Sequence, residues 1–175
     1  IIPGKTLSEI MKIVTGEQED EVRIYFTKNE VLFEMENTVV VSRLIEGKYF
    51  RVDQMLTNDF ETKMSVNKQQ LMNSVDRALL FTSEMDKKPL VMTISQNSLN
   101  LKITSEIGSM SDDVEISTEG KELMIGFNPK FILDALRVID DEEITVYFLN
   151  SKGPCFIKDE SQSYIYMVLP VNFVV

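Results

Sequence analysis

An α+β fold made of repeated helix-plus-strands units is what this sequence predicts, and three observations carry the prediction. Three stretches place apolar residues at i, i+4 and i+7, the period of a helix with one buried stripe. Between them the period switches to two, with β-branched and aromatic residues enriched. The third helical stretch and the strand after it also appear, in degraded form, at the start of the chain, where residues 2–14 lead into 20–26 as residues 126–139 lead into 144–148.

The first helix opens at Pro3-Gly4 and is expected to bury Leu7, Met11 and Val14. Strands are predicted over residues 22–26, 31–35 and 39–44, with turns at Lys28-Asn29 and Glu36-Asn37. Residues 46–57 are polar and interrupted, as a linker is. A strand over 60–66 runs into the second helix, which starts at Ser65-Val-Asn67 and buries Leu71, Val75 and Ala78. Strands over 90–95, 99–104, 113–117 and 123–127 follow. The third helix has Asn128 as its cap and Pro129 at its first position, with Ile132, Leu136 and Ile139 inward. Strands over 144–149, 155–158 and 164–169 close the chain.

One helix with three or four strands buries little surface alone, whereas two such units, sheet beside sheet with both helices on one side, make a domain. Residues 58–175 hold two units and are expected to form a complete domain. Residues 1–57 hold one unit and the linker, half of a second domain. The Ile-Ile-Pro-Gly start reads as cut from something longer.

Composition narrows the function by exclusion. Apolar residues make up 43% and charged residues 26% of the 175, a globular profile with no run of the ~20 apolar residues that span a bilayer. Histidine is absent and Cys155 is the single cysteine, which removes Ser-His-Asp and Cys-His nucleophile schemes, histidine zinc sites and disulfide frameworks. Cys155 reads as a small apolar strand residue suited to a reducing cytoplasm. No carboxylate pair, phosphate-binding loop or metal spacing stands out, so no catalytic residue, metal or cofactor is expected and a hydrolase or transferase is disfavoured.

The net charge of −10 argues against indiscriminate coating of nucleic acid, but not against positive charge confined to one face. Outside the apolar stripe, the first helix carries Lys5, Glu9 and Lys12 and the third carries Lys130, Asp134 and Arg137. Both read basic, acidic, basic at the same spacing. The second helix departs, with Gln69, Asn73 and Asp76 and with Arg77 alongside. Charged outer faces with i,i+4 pairs are ordinary on amphipathic helices. The recurrence in two repeats, where acids outnumber bases 28 to 18, favours a basic surface on an acidic body.

Four segments, in order along the chain, resemble one family. Gly126-Phe-Asn-Pro-Lys-Phe-Ile-Leu-Asp-Ala-Leu136 is similar to the helix-opening motif in the last domain of the bacterial sliding clamp, the β subunit of DNA polymerase III. Ser42-Arg-Leu-Ile-Glu-Gly-Lys48 is similar to that family's interdomain segment. Tyr166-Met-Val-Leu-Pro-Val171 is similar to its C-terminal ending, and Ile2-Pro-Gly-Lys-Thr-Leu7 to the start of the second helix of its middle domain. The resemblance implies the clamp fold, with helices lining a hole and antiparallel sheets forming the outer wall. It implies a non-catalytic cytoplasmic processivity factor whose three-domain subunits pair as a homodimeric ring around duplex DNA, held by topology, without base readout. This chain would cover the second half of the middle domain and the whole third domain.

By the same resemblance Lys5, Lys12, Arg77, Lys130 and Arg137 face the DNA. A groove for linear peptides from polymerases, clamp loader and repair proteins is walled by Met55, Met85, Pro154, Met167, Val168, Leu169, Pro170 and Val171, its methionines suited to varied peptides. The subunit interface takes Leu79 and Leu80, with Asp112, Asp113 and Glu115 as its acidic patch. The chain departs from the family at Tyr49-Phe-Arg-Val52, at Gln54 and in its ending Pro170-Val-Asn-Phe-Val-Val175, all around the groove. Without a first domain it is expected not to close the native ring and to be a monomer in dilute solution, or an irregular dimer. The alternative is an α+β interaction scaffold that makes no DNA contact.

Overall fold

The structure is a computed structural model that describes residues 1–14, 21–35, 37–49, 51, 59–83, 88–159, 161 and 163–173. The expected groove residues Met55 and Met85, the departures at Phe50, Val52 and Gln54, and most of the expected linker lie outside the described residues. The chain divides into two compact units, Ile1–Leu56 and Thr57–Val175.

In the first unit α1 (Gly4–Ile13) accompanies an antiparallel sheet of β1 (Arg23–Phe26), β2 (Glu30–Met35) and β3 (Thr38–Arg43), in that order. Pro3 begins the helix as a backbone acceptor, its carbonyl taking the amides of Thr6 and Leu7. The small core is Ile10, Val31 and Phe33, with Ile2, Val22, Met35, Val40 and Leu44 packed around it.

The expected inward stripe of α1 is corrected here. Leu7 and Met11 are 42% and 77% exposed and Val14 is exposed too, while Ile10 is 7% exposed. The face toward the sheet is the line of Thr6 and Ile10, and the Thr6 hydroxyl bonds that of Ser42 on β3 at 2.7 Å. Helical period defines a broad apolar stripe but not which part of it meets the neighbouring element. A single helix on three strands covers only the Thr6–Ile10 line.

Among the described residues, the second unit holds eight strands and two helices in one core. These are β4 (Thr62–Asn67), α2 (Lys68–Leu79), β5 (Leu90–Ile94), β6 (Ser98–Ser105), β7 (Gly108–Gly120), β8 (Leu123–Phe127), α3 (Pro129–Leu136), β9 (Glu143–Phe148), β10 (Cys155–Lys158) and β11 (Ile165–Val168). The strand order is β11-β10-β9-β4-β7-β6-β5-β8, antiparallel throughout. Alternation puts Met64 and Val66, Leu90, Met92 and Ile94, Leu99 and Leu101, and Ile144, Val146 and Phe148 on the face that meets the helices. Leu71, Val75 and Ala78 of α2 and Ile132, Leu133, Ala135 and Leu136 of α3 fill the space over them. Cys155 is buried in that core, where burial pushes its thiol up to about 12, so it stays neutral.

Both helices start as the sequence predicts. The Asn67 side chain accepts from the Gln70 amide at 3.1 Å, and Asn128 accepts from the Lys130 amide at 3.0 Å with Pro129 following. α3 stops earlier than the expected Ile139, at Leu136. Arg137 and Val138 form a closing turn, and Ile139 is buried beyond it with its carbonyl accepting the Lys68 ammonium at 2.6 Å. β7 is far longer than the expected 113–117, because its outer face is polar and alternation shows only at Val114 and Ile116.

β7 serves two ladders: residues 108–115 pair with β6, and residues 116–120 pair with β4. Gly120 ends it at φ 104, a left-handed value, with any Cβ driven against the Glu61 carbonyl oxygen. Gly120→Ala is therefore expected to destabilise the second unit by about 3 kcal/mol, read from the midpoint of urea unfolding. An unchanged midpoint would show that the turn relaxes freely.

The chain leaving β11 takes three residues to reach the opposite edge, where the Val171 amide donates to the Gly126 carbonyl of β8 at 2.8 Å. Three residues span at most about 10 Å, so the two outer edges of the eight-strand order lie close together and the sheet curls around its helices.

Candidate functional site

Where the curled sheet meets α3, a groove of about 510 Å³ opens. Phe131, Asp134 and Ala135 of α3 form one wall, and Tyr166, Met167, Val168, Leu169, Pro170 and Val171 form the other. The walls come from different sources of order. On α3, Phe131 is one residue from the buried Ile132, which turns its ring outward; it is 54% exposed. On β11, alternation sends Val168 into the core while the chain past it, no longer in a strand, leaves Leu169 58% and Val171 38% exposed. Contiguous exposed apolar side chains around a concavity are costly in water, and such a surface marks a binding site. Among the described residues, Asp134 is the one charged residue on its walls.

The structure thus brings five of the expected groove residues together, Met167 to Val171. Pro154 is not among them; it lies just before β10, where its carbonyl accepts the Leu149 amide at 3.3 Å. Phe131, Asp134 and Ala135 were missed by sequence reasoning, which treated the outer stripe of α3 as a row of charges. An exposed phenylalanine beside Lys130 was the available signal.

A roomier concavity of about 650 Å³ lies on the other face of the sheet, lined by Val91, Thr93, Asn100, Lys102, Thr104 and Met124 with Lys88, Pro89, Asn172 and Phe173. Its walls mix hydroxyl, amide and ammonium groups with apolar side chains such as Val91, Met124 and Phe173, whereas the smaller groove is almost wholly apolar and is the better candidate.

The basic helix faces are more neutral than the sequence suggests. Lys5 and Lys130 are exposed and make no ion pair among the described residues. Lys12 pairs with Glu9 at 2.9 Å on its own helix. Arg137 approaches Asp76 of α2 at 3.8 Å, so the outer stripes of α2 and α3 lie side by side. Arg77 is bound to Asp112 of β7 and donates to Ser74 at 3.1 Å. A residue expected to face DNA and one expected at the subunit interface are therefore partners.

The other expected interface residues divide as well. Leu79 packs against the core, whereas Leu80 is 74% exposed. Asp112 sits on the helix face of β7, while Asp113 and Glu115 point to the opposite face, where Asn100 donates to Asp113 at 3.0 Å. Beside them, residues 108–115 of β7 pair only with β6, and their second edge has no strand partner among the described residues.

The Arg77 hydrogen bond, helped by Ser74, holds the Asp112 carboxyl below the usual carboxylate range. A depressed folded value means the ionised form stabilises the fold above the unfolded pKa of about 3.9, and that contribution is lost as pH falls through the folded value. Thermal melts from about pH 7 down to pH 3 should therefore show a steeper loss in the wild type than in Asp112→Asn. Parallel curves would remove this pair from the acid response.

Residues 53–172 match the family described as DNA polymerase III beta subunit, C-terminal domain, and residues 1–50 match DNA polymerase III beta subunit, central domain. A beta sliding clamp of Staphylococcus aureus is 34% identical over 175 residues, covering 98% of this chain and 46% of the relative. Among solved structures, a DNA polymerase III beta subunit from Eubacterium rectale is 55% identical with a TM-score of 0.87 over 98% of this chain and 47% of that one. The DNA polymerase sliding clamp of Bacillus subtilis is 33% identical with a TM-score of 0.86, over 99% and 46%. The chain spans about half the length of the curated relatives it matches.

Proposed function

The chain belongs to the DNA polymerase III beta-subunit family, and from that premise we propose that it is the peptide-binding part of a sliding clamp. In this reading, residues 1–57 are the second half of the central domain with the interdomain linker, and residues 58–175 are the complete C-terminal domain. The whole subunit pairs with a second copy through the unpaired edge of β7 and Leu80, and the ring encloses duplex DNA in the cytoplasm. It performs no catalysis: it keeps a polymerase on its template by tethering.

The observation that carries the proposal is the groove of Phe131, Tyr166, Leu169, Pro170 and Val171, an apolar slot of a size for one short segment, with few polar groups to fix orientation. Short overlapping fluorescein-labelled peptides covering the host cell's replicative polymerase test it directly, by anisotropy against this chain and against the whole subunit. One or a few peptides should bind both, the whole subunit more tightly. A folded chain and subunit that bind none of them would overturn the reading.

Lys5 and Lys130 are the strongest candidates for phosphate contact, since Lys12 and Arg137 have carboxylates beside them. That local neutralisation is also what favours the competing reading, a scaffold without DNA contact. The two part on one measurement: retention of the closed subunit ring on circular DNA, which only the clamp reading requires.

A further inference from the structure

The segment from Asn172 onward is one of the places where the sequence departs from the family pattern. We propose that Phe173 is a positioning residue for the groove: it locks the Leu169–Val171 wall in place by lying across Gly126. This inference rests on the groove being a peptide site.

Gly126 is buried on β8, and a Cβ there would meet the Phe173 ring at 2.7 Å and the Val171 carbonyl oxygen at 3.0 Å. The ring therefore occupies the space that any other residue at 126 would claim. In the same place the Val171 amide donates to the Gly126 carbonyl at 2.8 Å. One residue thus receives a hydrogen bond and an aromatic lid from a five-residue strap that begins at the end of β11.

Among the described residues, no other hydrogen bond holds the strap. Leu169, Pro170 and Val171 form no strand pairing, and Leu169 and Val171 are open to water on the groove side. A wall of that kind, left to itself, samples many conformations, and each binding event would bear the cost of ordering it. Phe173 removes that cost in advance. It lines the other concavity, on the far face of the sheet, so it touches no peptide in the groove and acts only through the wall.

The test is a set of variants read by two methods. Phe173→Ala should weaken the tightest-binding polymerase peptide by roughly tenfold and should raise hydrogen exchange at the Val171 amide, while the thermal midpoint of the core changes little. Phe173→Leu, which keeps bulk over Gly126, should recover most of both. Gly126→Ala should imitate Phe173→Ala, and the double variant should lose less than the product of the two single losses, because both act on one contact.

If the wild type binds no peptide, the groove reading fails while the exchange result still reports on the strap. If the wild type binds and Phe173→Ala binds equally well, or Val171 exchange is unchanged, the positioning role is wrong. Equal weakening by Phe173→Leu and Phe173→Ala would overturn it as well.

Discussion

Phe131→Asp is expected to weaken peptide binding by roughly a hundredfold while leaving the fold intact. Aromatic anchors at recognition sites contribute about 2–3 kcal/mol each, and a carboxylate placed beside Asp134 repels acidic or apolar partners besides. Folding should survive because the ring is 54% exposed and because acid in the first turn of a helix favours the macrodipole. Anisotropy with the tightest polymerase peptide reads the affinity and a thermal melt reads the fold. Wild-type affinity in the variant would move the site away from α3 and leave the β11 wall unexplained.

The second large effect concerns DNA. Reversing charge at Lys5, Lys12, Lys130 and Arg137 in the whole subunit should shorten its lifetime on circular DNA by roughly tenfold or more. The salt dependence should flatten by up to about 0.9 in log–log slope for each phosphate contact removed. The ion pairs add a finer expectation. Lys5 and Lys130 make no ion pair among the described residues, so reversing those two should account for most of the loss. Lys12 and Arg137 already share their charge with Glu9 and Asp76. Equal retention of wild type and fourfold variant would favour the scaffold reading.

Legibility followed locality. Asn67 and Asn128 were readable as caps because a cap is a contact within three residues, and both form as expected. The strands whose inner faces are unbroken, such as Leu90–Ile94 and Cys155–Lys158, were readable because alternation is local too. What failed depended on partners far along the chain. Whether Leu7 or Ile10 of α1 meets the sheet depends on where β3 runs, and Ser42 settles it through Thr6. The length of β7 was hidden because two different neighbours hold its two halves.

The candidate site divides the same way. Met167 to Val171 were legible as a motif, but their opposite wall belongs to a helix that sequence reasoning had reserved for charge. Nothing in a pattern of residues announces that Phe173 will rest on Gly126, since the contact joins β8 at one edge of an eight-strand order to the segment that follows β11 at the other.

The two-ladder strand β7 bears on how the second unit comes to be folded. Its residues 116–120 are placed by β4, whose other neighbour β9 lies far along the chain; the Asn67 and Glu143 side chains that join the two are 76 residues apart. Contacts so distant in sequence close late and slowly, because loop entropy must be lost before they form. The two halves of the sheet are joined only when β4 has met both β7 and β9. The unit should then refold in a single slow phase, and its amides in β4, β7 and β9 should exchange with one common free energy, as one foldon.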